Sequence, residues 1–173
     1  HVDAYHTLAW ERSNIVYNIC VHHCRTAVAQ PDDKNGYVAA GQAWAQASKL
    51  LSWQTDSLVH PMPQLFAVWS LYCQAAAQHA AYRAFGSIRT AKPYMMAKLA
   101  AAALPLYSQV EASVERCLIL VDPTLERCMD DWKDAVRTQC MILTAQTEHH
   151  QAQAHALKRE YGYEIVRLQA ALR

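Results

Sequence analysis

The chain runs to 173 residues with 53% apolar side chains, 4 glycines and 6 prolines, enough for one domain with a buried core and too few turn formers for an all-β protein, which breaks about every 8–12 residues. Its net charge is +1, with acids and bases interspersed and no run of Lys or Arg, which argues against nucleic acid and against a polybasic membrane patch. No stretch offers the ~18 uncharged apolar residues of a membrane span, and His1-Val2-Asp3-Ala4-Tyr5-His6 has neither the basic nor the apolar region of a signal peptide.

Five helical stretches are predicted. The first covers about 5–29, with Leu8, Ile15 and Ile19 on one face, and Gln30-Pro31-Asp32-Asp33-Lys34-Asn35-Gly36 breaks it with turn formers. The second covers about 37–57, with a stripe of Ala40, Ala43, Trp44, Ala47, Leu50 and Leu51 at helical spacing. His60-Pro61-Met62-Pro63 makes the next break, since proline removes a donor and restricts the residue before it. The third, about 64–85, is rich in alanine and ends at Gly86-Ser87. The fourth, about 91–120, contains Pro105, where a kink costing roughly 3 kcal/mol is expected unless packing compensates.

After Val121-Asp122-Pro123-Thr124, the apolar pattern predicts one long helix from about Leu125 or Asp131 to the end. Its stripe is Val136, Cys140, Leu143, Thr147, His150, Ala154, Leu157, Tyr161, Ile165, Leu168 and Leu172, alternating by three and four as in a coiled coil. Such a segment would be roughly 60 Å long and needs an antiparallel partner. The fold class is therefore all-α: an elongated array of long antiparallel helices, hairpin on hairpin, forming a curved solenoid without an exact repeat. Residues 1–173 are expected to be a single helical domain, and a piece of something longer, because there is no initiating Met and the last residues still read as helix.

The cysteines at positions 20, 24, 73, 117, 128 and 140 sit among helix formers with no C-x-x-C pair, so reduced and mostly buried thiols in a cytoplasmic setting are expected. Cys20 and Cys24 share a helix face, but His22 and His23 point elsewhere, short of four convergent zinc ligands. In Glu148-His149-His150, His150 falls on the buried stripe, while His149 and His155 are expected to face water. Neither Glu-x-x-His nor His-Glu-x-x-His occurs, nor a nucleophile elbow or a phosphate-cradling glycine loop. No metal, no cofactor and no enzymatic activity are expected.

Several segments resemble, in order and spacing, the helical core of the BRO domain of the Alix-like, ESCRT-associated family. Leu8-Ala9-Trp10-Glu11-Arg12-Ser13-Asn14-Ile15-Val16-Tyr17-Asn18 resembles the opening of that core. Gly36-Tyr37-Val38-Ala39-Ala40-Gly41-Gln42-Ala43-Trp44-Ala45-Gln46-Ala47-Ser48 looks like its next helix. Ser70-Leu71-Tyr72-Cys73-Gln74-Ala75-Ala76-Ala77-Gln78 and Met95-Met96-Ala97-Lys98-Leu99-Ala100 are similar to the two that follow. Glu148-His149-His150-Gln151 with Tyr161-Gly162-Tyr163-Glu164-Ile165-Val166-Arg167-Leu168-Gln169 is similar to the long final hairpin helix. Two features depart from the family: Pro105 lies in a helix usually unbroken, and the loop Asp33-Lys34-Asn35 is less acidic.

The resemblance covers the central portion of a larger BRO domain and implies a curved helical scaffold. It implies an adaptor in endosomal sorting and membrane remodelling that binds the C-terminal amphipathic helix of an ESCRT-III core subunit in a shallow apolar groove. The implied groove positions are Tyr82, to within one position, with Met95 and Leu99, and with Phe85 and Met96 near enough to contribute. Cytoplasmic residence with recruitment to endosomes through partners follows from the same resemblance. Other readings are a BRO-type scaffold for a pH-signalling or Rho-linked client, and a structural helical subunit of a larger assembly. Without the resemblance, an apolar pair at i and i+4 such as Met95 and Leu99 reads more often as core.

Overall fold

The computed structural model describes residues 8–56, 63–118 and 123–172, and those residues are helical apart from their short connections, with no strand among them. The helices are α1 (Leu8–Val28), α2 (Lys34–Asp56), α3 (Pro63–Gly86), α4 (Pro93–Leu118), α5 (Pro123–Leu157) and α6 (Tyr161–Ala171). α3, α4 and α5 each open on a proline, whose missing N–H is one the first turn cannot use and whose φ is already helical. At the start of α2, Asp33 caps: its carboxylate accepts the Gly36 N–H at 2.7 Å. The chain folds so tightly there that a Cβ on Gly36 would sit 2.0 Å from the Pro31 carbonyl oxygen.

Each helix packs on its predecessor and its successor, and pairs more distant in the chain share no extensive interface. The contacts give the register. Arg12 of α1 lies over Trp53 of α2 and Cys20 reaches the Ala47 carbonyl. Ser48 of α2 pairs with Ser70 of α3 at 3.1 Å. Tyr72 of α3 meets Tyr107 of α4 edge-on, and Glu115 of α4 pairs with Lys133 of α5 at 2.8 Å. Second contacts fix the direction: Arg83 of α3 reaches Tyr37 of α2, Met96 of α4 lies at Gly86 of α3, and Ser108 of α4 meets Cys140 of α5, so neighbours from α1 to α5 are antiparallel. Alternate helices touch through side chains: Tyr17 of α1 on Trp69 of α3, and Tyr72 of α3 on Trp132 of α5. This is an array of stacked hairpins, not a closed bundle.

The core changes character along the array. Between α1, α2 and α3 it is rich in small residues, Ala27, Ala40, Ala43 and Ala80 in one cluster and Cys20, Ala47 and Cys73 around Leu51 and Phe66 in another. Between α3, α4 and α5 it holds larger groups, including Tyr107, Val110, Val114, Val136 and Leu143. The expected stripe of α2 is buried or half-buried throughout. The expected face of α1 is not. Ile15 is 60% exposed and Ile19 also faces out, while Val16, Cys20, Cys24 and Ala27 make the contact. An alanine-lined partner accepts close approach by small side chains better than by isoleucines. The Leu8 side chain lies outside the described side chains.

The long final helix is divided. α5 stops at Leu157, and α6 folds back on it. The stop is a Schellman turn: Glu160 N–H donates to the His155 carbonyl and Arg159 N–H to Ala156, with Arg159 at φ 61° in the left-handed position that glycine usually fills. α6 is held by polar and aromatic contacts. Arg167 donates twice to the Glu148 carboxylate, at 2.9 and 3.1 Å, and Tyr163 stacks on His155. The stripe is accordingly buried at Val136, Leu143 and Thr147, and exposed at Leu157, Tyr161, Ile165 and Leu172. α4 remains helical through Pro105, whose ring lies on the exposed side.

Candidate functional site

The positions implied by the resemblance gather around the turn from α3 to α4, and the structure divides them. Tyr82 is 7% exposed, and its hydroxyl pairs with His150 Nε2 of α5 at 3.0 Å. Burial pushes its phenol up from the ordinary value. Met96 is 8% exposed and fills the space beside Gly86, where a Cβ would lie 2.8 Å from the methionine methyl. Both belong to the α3–α4–α5 core. Phe85 and Leu99 are half-buried against that core. Met95 is 39% exposed. Beside it, the Lys98 ammonium lies 4.6 Å over the exposed Tyr94 ring, a cation–π contact that keeps the lysine stem along the helix.

Phe85 also borders a groove of about 470 Å³ between α2 and α3, with Val38, Gly41 and Ala45 on one wall and Ala77, Ala81, Ala84 and Ile88 on the other. Its lining is almost wholly apolar, with Lys34 and Tyr37 at one end. Ala81, one position before Tyr82, is exposed here. Alanines at 77, 81 and 84 lie on one face of α3 and leave a trough instead of a ridge. The sequence reading passed over this groove because alanines at helical spacing read as core. The signal for it was the pairing of an Ala/Gly-rich α2 with an Ala-rich α3.

A second cleft, of about 410 Å³, lies among α1 to α5 and is lined by Trp44, Tyr72, His79, Arg83, Tyr107 and Gln139, among others. Its rings meet edge to face: Trp44 with Tyr72 at 5.9 Å and His79 with Tyr107 at 6.2 Å. Burial, and secondarily the Arg83 charge, holds His79 below the ordinary imidazole value. Burial also raises the Tyr72 and Tyr107 phenols. At the rim, the Arg83 guanidinium donates to the Asp32 carboxylate at 2.6 Å and to the Tyr37 hydroxyl at 2.9 Å. Tyr37 in turn donates to Asp32, and that hydrogen bond raises its phenol above the ordinary value.

The residues weighed as metal ligands are dispersed. Cys20 is turned to the Ala47 carbonyl and Cys24 to Cys73. His149 pairs with Gln153, His150 with Tyr82 and Gln153, and His155 with Glu160. Among the described residues, no three or more His, Cys, Asp or Glu side chains converge as a metal site. Nor is any described helix long and apolar enough to cross a membrane.

The family model of the BRO1-like domain matches residues 2–173. The chain belongs to the BRO1-like family. No curated protein and no solved structure matches it. BRO1-like domains bind proteins, and in this chain Phe85 and Leu99 are half-buried and Met95 is exposed at the α3–α4 turn.

Proposed function

We propose that this BRO1-like chain is a non-enzymatic adaptor that recognises the C-terminal amphipathic helix of an ESCRT-III core subunit. Its setting would be endosomal sorting and multivesicular-body formation, with a cytoplasmic protein recruited to endosomes through its partners. The observation that carries the reading is the exposed and half-buried apolar set at the α3–α4 turn, Met95, Leu99 and Phe85, in a chain of this family. Met95 and Leu99 are one helical turn apart and offer a stripe to a guest helix. Methionine adapts its shape to the partner. Each anchor that a guest covers contributes about 1.5–3 kcal/mol. Tyr82 and Met96 act from below, holding α3, α4 and α5 together under that stripe.

The test is a fluorescence-anisotropy titration with a labelled C-terminal peptide of an ESCRT-III core subunit. Leu99→Asp weakens binding at least about tenfold, or ~1.4 kcal/mol, because a carboxylate would be buried in an apolar seat. Unchanged affinity in a folded Leu99→Asp protein removes the assignment. Ala81→Asp, on the α2–α3 groove, separates the two seats: a larger loss there than at Leu99 moves the guest helix to the groove.

The burial of Tyr82 and Met96 favours a second reading, a structural subunit whose α3–α4 surface serves packing alone. Under that reading no peptide binds, and Leu99→Asp lowers stability instead.

A further inference from the structure

Three thiols come together where α1 runs beside α3. Cys20 and Cys24 are one turn apart on α1, and Cys73 faces them from α3. Cys20 is committed elsewhere, its thiol directed at the Ala47 carbonyl 3.9 Å away. Cys24 and Cys73 are turned to each other, Sγ to Sγ at 4.0 Å. They differ in access: Cys73 is fully buried, whereas Cys24 is half-buried and reaches the surface. They differ also in acidity. The hydrogen bond from Cys73 draws the Cys24 thiol below its ordinary value. The same bond, followed by burial, pushes Cys73 up. Burial first, and then Cys24, pushes Cys20 up to about 11. Burial likewise raises Cys117 and Cys140. An accessible sulfur backed by a buried thiol in contact is the arrangement of an attacking and a resolving cysteine.

We infer that Cys24 and Cys73 form an oxidisable pair, Cys24 reacting first with a peroxide and Cys73 closing a disulfide that clamps α1 to α3. The Cys24 thiolate attacks one oxygen of hydrogen peroxide. The O–O bond breaks and hydroxide leaves, to be protonated to water, so Cys24 becomes a sulfenic acid. The Cys73 sulfur then attacks the Cys24 sulfur, its proton passing to the departing hydroxyl, and a second water leaves. Two thiols are oxidised by two electrons, and one peroxide is reduced to two waters. The sulfurs must close from 4.0 Å to about 2.05 Å. The new bond would tie two helices joined here by side-chain contacts of Tyr17 with Phe66 and Trp69. It encloses all of α2 in one covalent loop, which restricts the unfolded chain. None of this depends on the guest-helix reading.

The test uses the full chain carrying Cys128→Ser, which removes the exposed thiol that would cross-link molecules. After treatment with hydrogen peroxide and alkylation, the expected product is lighter by two hydrogens before alkylation and carries one cross-linked peptide pair. Fragmentation assigns the bond to Cys24 and Cys73, not to Cys20. The thermal midpoint rises by roughly 5–15 °C and returns on reduction with dithiothreitol. In Cys73→Ser, oxidation stops at a Cys24 sulfenic acid that dimedone traps. In Cys24→Ser, peroxide reacts with Cys73 at least about tenfold more slowly. Cys24 and Cys73 both remaining alkylatable while other thiols oxidise, or a bond from Cys20, overturns the inference. Should Cys73→Ser not fold, the peptide map of the Cys128→Ser parent alone decides.

Discussion

Single residues hold this fold at places where no substitute fits. Gly36 is one: a methyl group there would sit 2.0 Å from a backbone oxygen that cannot move without opening the turn into α2. Gly36→Ala is therefore expected to lower unfolding stability by about 2 kcal/mol or more in urea denaturation. Gly41 gives the contrast, since a Cβ there meets only ordinary contacts at 3.5 Å or more. His79 carries a pH signature. Its folded pKa lies below the unfolded value, so the unfolded chain takes up the proton first as pH falls. The stability is complete above about pH 6.5 and is lost as pH drops from there towards the folded pKa, with a slope of at most about 1.4 kcal/mol per pH unit for one proton. Arg83 adds to the depression. Urea titrations at successive pH values should show the slope, and His79→Gln should remove it. At this scale the sequence was partly readable: it placed Tyr82 and Met96 beside Met95 and Leu99, but not which of adjacent residues turns inward. Met95 and Met96 are chemically identical, and only the position of α3 and α5 makes one surface and the other core.

Helix boundaries were legible wherever proline or a glycine-containing turn marks them. The breaks before α2, α3, α4 and α5 all fall at such residues. The break between α5 and α6 was not legible, because Lys158-Arg159-Glu160 contains neither glycine nor proline, and the three-four apolar pattern runs on across it. The turn is bought with a left-handed arginine. Arg159→Gly should relieve that and raise stability by about 0.5–1 kcal/mol, read from the denaturation midpoint. α6 itself has no buried residue, so its attachment leans on Arg167 and Glu148. Arg167→Ala should cost about 1 kcal/mol locally. Hydrogen exchange would report it as faster exchange in α6 with α2 and α3 unchanged, and equal loss in all helices would refute a locally held α6.

For the molecule as a whole, neighbour-to-neighbour packing makes stability a sum of interfaces along the array. The α3–α4–α5 end contains the most extensive core cluster, and Leu143 is fully buried within it. Leu143→Ala should cost about 2–5 kcal/mol, depending on how far the site collapses. The loss should appear first as reduced amide protection in α4 and α5, with α1 and α2 less affected, because no extensive interface joins them to α5. Uniform loss across all helices would indicate one cooperative unit instead of a stack.

Composition and periodicity were sufficient to make this chain all-α and to place the breaks that rest on backbone chemistry, while the resemblance of its segments to the BRO domain pointed to the family that the match over residues 2–173 then established. Those features are local: proline geometry, glycine freedom and helix propensity act within a few residues wherever the chain goes. Which face of α1 is buried, that the last helix turns back, that a trough opens between α2 and α3, and that Cys24 meets Cys73 were decided by packing alone. They depend on how closely two helices approach, and that distance is set by side chains far apart in the chain.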